Sequence, residues 1–317
     1  MTNNDAHSGD ANMMVESRSL AIGKWGNLFM AISGVTVAWL SRSDALLIDG
    51  LYSAVNFLSA IVAARVGLSV QRAPDPSRPF GYEADEALYV TFRSMILVGL
   101  LGFAFFTSAN KILIYAGGGE VPELKFGPIQ VYVILMVVIC AMIAIVHHRS
   151  WVKTGKKSAL LLAERSSAIA DGAMSAGAGI ALLSVPFLKG TALEFLVPIA
   201  DAIVVVVMIA IIITQPIIAF MGALGEISGK GADKPVVAEL RKKLQELDAF
   251  SNIEILDLGV SKLGRRHSIL CYIKPDEPMT AVKADLLRNT ITDVGAPLLG
   301  ESRTEVILTK HKRYAAE

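Results

Sequence analysis

The stretch LIDGLYSAVNFLSAIVAA, residues 47–64, carries polar side chains within an otherwise apolar run. Three of them follow the spacing i, i+3, i+7 and so share one face of a helix: Asp49, Tyr52 and Asn56. A second apolar segment repeats the pattern with Glu164, Ser167 and Asp171. A charged side chain at membrane depth costs about 2.5–3.5 kcal/mol. Two matching stripes therefore predict a cation site between two membrane helices.

The composition of the whole chain supports a membrane protein. Hydrophobic residues make up 53% of the 317 residues, and the mean hydropathy is +0.52, above the range of soluble domains. A large soluble helical protein is the weaker alternative, because so many long apolar runs are unusual in a soluble core. Extended by their flanking residues, six uncharged runs each approach the roughly 20 residues that a spanning helix needs: 25–41, 50–64, 94–110, 126–146, 172–188 and 202–225.

Basic residues in the loops predict the orientation. Loops that are rich in Lys and Arg stay on the cytoplasmic side of a membrane. Such residues are concentrated after the second and fourth apolar runs: Arg65, Arg72, Arg78, Arg149, Lys153, Lys156 and Lys157. We therefore expect an integral protein of the cell (inner) membrane with both termini in the cytoplasm.

The chain after residue 233 has the composition of a small soluble domain. Its hydrophobic pattern predicts a helix over 236–247, strands over 253–260 and 268–273, a helix that begins after Thr280, and a final strand over 305–308. The order α-β-β-α-β predicts a ferredoxin-like α+β domain. The predicted fold is thus membrane all-α, a six-transmembrane-helix bundle, followed by a C-terminal cytoplasmic α+β domain.

The predicted domain boundaries follow from these shifts in composition. We expect a disordered cytoplasmic tail over 1–18, the six-helix transmembrane domain over 19–225, and a glycine-rich linker over 226–232. The cytoplasmic C-terminal domain then covers 233–310, and a short tail covers 311–317.

Several classes of function are disfavoured by the sequence. The chain has two cysteines, Cys140 and Cys271, and no CxxC pair, which argues against a disulfide framework or a thiolate zinc site. The net charge of +1 argues against a nucleic-acid-binding protein. We find no Ser-His-Asp arrangement and no nucleotide-binding motif, so the sequence predicts neither an enzyme nor an ATP-driven pump.

The chain resembles the cation diffusion facilitator family from about residue 20 to residue 310. The phrases that carry the resemblance are Leu46-Leu47-Ile48-Asp49-Gly50-Leu51, Pro79-Phe80-Gly81-Tyr82, Glu86-Ala87-Leu88 and Ala200-Asp201-Ala202. The resemblance implies a secondary transporter that exports a divalent metal such as manganese, iron(II), zinc or cobalt by proton antiport. It also implies a homodimer that pairs through the C-terminal domain, and no cofactor besides the transported cation and the coupling protons.

The transport site differs from the usual pattern of this family. There, the second and fifth helices each supply a His or Asp and, four residues later, an Asp. The matching positions here are Tyr52, Asn56, Ser167 and Asp171, so only one carboxylate remains. One carboxylate and three neutral oxygens form a hard, weakly charged set that suits zinc poorly. Such a set favours manganese, iron(II), magnesium or a monovalent ion.

Two further carboxylates lie on the same helix faces. Because the two helices run antiparallel, we expect Asp49 toward the exterior, Asp171 in the middle and Glu164 toward the cytoplasm. This ladder could pass a cation or a proton between carboxylates. The predicted metal site therefore has six members: Tyr52, Asn56, Ser167, Asp171, Asp49 and Glu164.

One intramembrane cation affects the interpretation of this site. Arg93 lies about two turns into the third predicted helix and needs a partner there, with Asp171, Asp49 or Asp201 as candidates. Pairing with Asp171 would leave the middle of the site nearly neutral. The alternative function is therefore a degenerate, non-transporting family member that acts as a partner or scaffold subunit.

Overall fold

A computed structural model of the chain describes residues 3–70, 72–122, 124–153, 159–264 and 266–311. Within that part, six helical segments are long and apolar enough to cross a membrane, which confirms the predicted six-helix fold. The first five are α1 Asn3–Ser41, α2 Asp44–Ser69, α3 Ala84–Ala116, α4 Phe126–Lys153 and α5 Ala159–Ser184. Lys156 and Lys157, used above for the orientation, and residues 312–317 of the predicted tail lie outside the described residues.

The sixth span is interrupted, whereas the sequence predicts one helix over 202–225. It consists of α6, Ala200–Ile212, and α7, Thr214–Ile227. Pro216 has no N–H to donate to the carbonyl of Ile212, and its ring crowds that carbonyl. The helix consequently breaks at Ile213. Two short 3-10 turns, Val185–Leu188 and Glu194–Ile199, lie between α5 and α6.

The start of the chain also differs from the prediction. Helix α1 begins at Asn3, although the sequence predicts a disordered tail over 1–18. Extending a helix that already exists is less costly than nucleating a new one. The polar start therefore continues the helix that the apolar segment forms. The other domain boundaries stay predictions.

The chain forms two compact units, and the first comprises Met1–Val62 and Arg93–Ile217. Its apolar core includes buried side chains from α1 to α6. Helices α1 and α2 approach each other closely at two glycines: a Cβ added to Gly34 would lie 2.6 Å from the Gly50 Cα, and a Cβ added to Gly50 would lie 2.8 Å from the Val35 nitrogen. Only glycine permits this distance between the two backbones.

Substituting Gly50 tests this close approach. We expect Gly50→Ala to force α1 and α2 apart and to lower the free energy of unfolding by about 1–3 kcal/mol, as overpacking does. The measurement is the thermal unfolding midpoint of the purified protein in detergent. Gly67→Ala in the same helix is the matched control, because a Cβ there meets no atom within 4 Å. Equal effects of the two substitutions would contradict the prediction.

The second unit comprises Ala63–Phe92 and Ile218–Glu317. Its C-terminal domain has the predicted order α-β-β-α-β: α8 Lys234–Gln245, β1 Ile253–Leu263, β2 Arg266–Pro275, α9 Ala281–Leu299 and β3 Ser302–Leu308. Strand β2 is central, antiparallel to β1 and parallel to β3. Leu240 and Leu244 of α8 and Leu287 and Ile291 of α9 pack with the apolar side chains of the sheet. The hydroxyl of Thr280 accepts a hydrogen bond from the Lys283 N–H and so caps α9, as predicted.

Candidate cation site

A small cavity lies inside the first unit, and both polar stripes contribute to it. Its volume is about 20 Å³, enough for one water-sized occupant. Three of the six predicted site residues line this cavity: Asp49, Tyr52 and Asp171. Four sulfur-containing residues, one each from α1, α4, α5 and α6, line it as well: Met30, Cys140, Met174 and Met208.

Asp49 is held in place by hydrogen bonds from two other helices. The Tyr132 hydroxyl of α4 donates to the Asp49 Oδ2 over 2.7 Å. The Ser175 hydroxyl of α5 donates to the same oxygen over 3.2 Å. Tyr132 is fully buried, so the first of these bonds is shielded from water. These bonds fix the carboxylate of α2 at the edge of the cavity.

Asp171 has no such support within the described part of the chain. Its half-buried carboxylate lines the cavity and accepts no hydrogen bond from another described residue. The negative charges of Asp49 and Glu164 both act on it. Helices α4 and α5 touch next to it, because a Cβ at Gly172 would lie 2.9 Å from the Cys140 Cβ. Asp171 is thus the carboxylate that is available to a ligand.

Arg93 has an amide partner where the sequence predicts a carboxylate. Its Nη2 donates a hydrogen bond to the Asn56 Oδ1 over 3.1 Å. Its Nε is buried and has no hydrogen-bond partner among the described residues. The guanidinium charge also acts on Glu164 and Asp171, but neither forms an ion pair with it within 4.0 Å in the described part of the chain. A fixed positive charge, the guanidinium of Arg93, is therefore already bound at Asn56.

The remaining members of the predicted site do not reach the cavity. Ser167 is exposed, and Glu164 is half-buried. Together with Asn56, these residues lie on the same helix faces as Asp49 and Asp171 but do not line the cavity. The structure thus brings Asp49, Tyr52 and Asp171 together and leaves the other three apart from them.

Asp201, in the first turn of α6, binds the residues at the start of α2. Its buried Oδ1 accepts a hydrogen bond from the Ser43 hydroxyl over 2.6 Å, and its Oδ2 accepts one from the Asp44 N–H over 2.7 Å. The Lys111 Nζ lies 3.8 Å from the Oδ2. A carboxylate at the N-terminus of a helix satisfies free N–H groups and complements the helix dipole. Asp201 is therefore not a partner of Arg93.

The loop between α2 and α3 holds one more carboxylate, outside the spanning segments. Asp75 accepts hydrogen bonds from the Ser77 hydroxyl over 2.6 Å and from the Tyr82 hydroxyl over 2.6 Å. These bonds, with those from the backbone of the same loop, hold the pKa of Asp75 well below its usual range. The Asp75 carboxylate thus orders its own loop.

Ligands of the usual metal-binding types are scarce in the structure. Among the described residues, no three His, Cys, Asp or Glu side chains come close enough together to hold a metal ion. A cation in the cavity would therefore need neutral donors in addition to the carboxylates.

Several residues of this site were not predicted from the sequence. Ser175 extends the stripe of α5 by one more turn beyond Asp171, so continuing the i, i+4 spacing would have found it. Tyr132 and the sulfur-containing residues lie in apolar segments, where no periodic spacing of polar residues marks them as part of a site. Only the packing of the helices brings them to the cavity.

Comparison with known protein families agrees with this architecture. The family described as the cation efflux transmembrane domain matches residues 20–224, well over half of the chain. A search of curated proteins gives no match. The chain therefore belongs to the cation diffusion facilitator family and is an integral membrane cation transporter, not an enzyme.

Proposed function

We propose that this protein exports a metal cation from the cytoplasm in exchange for protons, through the site between α2 and α5. The observation that carries the proposal is the Asp171 carboxylate, which lines an intramembrane cavity without a hydrogen bond among the described residues and lies within electrostatic reach of Asp49. An uncompensated charge at such a depth is unfavourable. Binding of a cation or a proton removes that cost.

Exchange of a cation for a proton follows from this competition. The cavity has room for one small occupant, so the cargo and water do not fill it together. A proton on Asp171 removes the charge that attracts the cation, and a bound cation disfavours the proton. Each species therefore displaces the other, which is the requirement for antiport.

The three carboxylates support a path through the site. Asp171 and Glu164 are seven residues apart on α5, which corresponds to about 10 Å along the helix axis. Asp171 interacts with both Asp49 and Glu164, as expected of the middle member of a ladder. In this proposal Asp171 binds the cation, and Asp49 and Tyr52 line the cavity beside it. Asn56, Ser167 and Glu164 line the way to the cytoplasm.

A non-transporting partner subunit is the second candidate function. The hydrogen bond between Arg93 and Asn56 favours it, because one usual ligand position of the family then faces a fixed positive charge. The missing ion pair between Arg93 and Asp171 among the described residues favours the transporter, since the Asp171 carboxylate is then not occupied by a protein cation and stays available to the cargo.

Flux through the purified chain alone decides between these two functions. The protein is reconstituted into liposomes that contain a pH-sensitive dye, and manganese, iron(II), zinc, cobalt, magnesium, sodium and silver ions are added one at a time. We expect one of the metals to enter and protons to leave in the opposite direction, with protein-free liposomes as the control. No flux of any of these ions would favour the partner subunit.

The cell membrane, the cytoplasmic termini and the homodimer belong to the same proposal. Accessibility of a cysteine introduced in the C-terminal domain, measured from each side of intact cells, tests the orientation. The mass of the purified protein in detergent tests the dimer.

A further inference from the structure

Sulfur-containing side chains surround the cavity on several sides. Met30 and Cys140 are buried, and the Cys140 Sγ lies 3.6 Å from the Met30 Sδ. Met174 and Met208 join them in lining the same space. Three other methionines of the spanning helices, Met95, Met142 and Met221, are about half exposed or more, and Met136 is buried but does not line the cavity. The cavity therefore combines sulfur side chains from four helices with two carboxylates.

These methionines differ from ordinary fillers of an apolar core. A flexible methionine in a core closes irregular gaps. Here the methionines border a space that stays open, next to a carboxylate that accepts no hydrogen bond from a described residue. The three rotatable bonds of each methionine side chain let its sulfur move toward an occupant of that space.

The size of the cavity disfavours hard divalent ions. Magnesium keeps several waters when it binds to proteins, and hard cations are usually surrounded by about six or more oxygens. A volume of about 20 Å³ leaves no room for those waters. The protein oxygens are too few to replace them, because the Asp49 carboxylate already accepts hydrogen bonds from Tyr132 and Ser175. That leaves the Asp171 carboxylate and the hydroxyls of Tyr52 and Ser53 at the cavity. Soft metal ions instead take thioether and thiol ligands and need few of them.

We propose that the cargo is a soft metal ion of the copper(I) class, held by the thioether sulfurs of Met174 and Met208 together with the Asp171 carboxylate. Met30 and Cys140 complete the sulfur lining. This inference rests on the proposed transport through the same site and specifies its cargo. The oxygen donors of the two polar stripes predict a hard cation from the sequence. The sulfur lining of the cavity favours a soft metal ion instead.

Removing the sulfur while keeping the volume tests this inference. Leucine has nearly the same size as methionine, so Met174→Leu and Met208→Leu leave the packing almost unchanged. Silver(I) is the probe, in chloride-free buffer, because it has the ligand preference of copper(I) and does not change oxidation state. We expect the double variant to bind silver(I) at least 10-fold more weakly than the wild type and to move it correspondingly more slowly. Met95→Leu and Met142→Leu, on outward faces, are the matched controls and should change neither quantity.

A spectroscopic readout separates a sulfur ligand from a packing effect. X-ray absorption of the full-length protein loaded with one equivalent of silver should show metal–sulfur scattering in the wild type and less of it in the double variant. Equal silver affinity and equal scattering in both proteins would overturn the inference, as would transport of manganese or zinc but not of silver. If no ion crosses the membrane, the proposed function fails. Metal–sulfur scattering that depends on Met174 and Met208 would then still support the sulfur site.

Discussion

Replacing Asp171 with asparagine is expected to lower cation transport about 100-fold while the protein stays folded. The amide has the shape of the carboxylate but lacks its negative charge. Loss of a charged ligand that contributes about 3 kcal/mol corresponds to roughly 100-fold weaker binding. We expect metal flux and metal-induced proton release to fall by about that factor in liposomes. The thermal unfolding midpoint should stay close to that of the wild type, because no described residue donates a hydrogen bond to this carboxylate.

Two other substitutions show whether the effect is specific. Asp285→Asn changes a mostly exposed carboxylate of α9 and should leave the flux unchanged. Asp49→Asn should lower flux less than Asp171→Asn, because the side-chain oxygen can still accept hydrogen bonds from Tyr132 and Ser175. Wild-type flux in Asp171→Asn would exclude the proposed site.

Replacing Asp201 with alanine is expected to destabilise the protein strongly. The substitution leaves the Ser43 hydroxyl and the Asp44 N–H without their acceptor and removes a negative charge near Lys111. Breaking a buried charged network of this kind costs about 3–5 kcal/mol. We expect the unfolding midpoint, followed by tryptophan fluorescence, to fall by roughly 10 °C.

The conservative variant distinguishes a structural role from a role in transport. Asp201→Asn retains one oxygen acceptor and should lose less stability than Asp201→Ala. The flux per folded molecule should be normal in Asp201→Asn, in contrast to Asp171→Asn. A stable Asp201→Ala protein that fails to transport would place Asp201 in the cation pathway instead.

The membrane fold could be predicted from the sequence because each helix carries its own signal. Long apolar runs and the alternation of the strands after residue 233 are local patterns, and the fold confirms them. The break at Ile213 also has a local cause in the sequence, because Pro216 cannot donate a hydrogen bond to the carbonyl of Ile212. The continuation of α1 to Asn3 had no such signal, since its residues are polar and match a disordered tail equally well.

The candidate site could be predicted only in part, because it is assembled from several helices. The stripes of Asp49 and Asp171 lie within single helices and were visible as periodic polar residues. Arg93 and Asn56 are far apart in sequence, and nothing local indicates their hydrogen bond. Met208 is one apolar residue among many in its helix. Its place at the cavity depends on how α6 packs against α5.

The broken helix of the sixth span has a mechanical consequence. Pro216 cannot donate a hydrogen bond to the carbonyl of Ile212, and Ile212 lines the cavity, as does Met208 one turn earlier. A helix that lacks one of its hydrogen bonds bends most easily at that point. We therefore expect the span to have a hinge at the level of the cavity. A small tilt about it moves one wall of the cavity relative to α2 and α5 while the rest of each helix stays rigid.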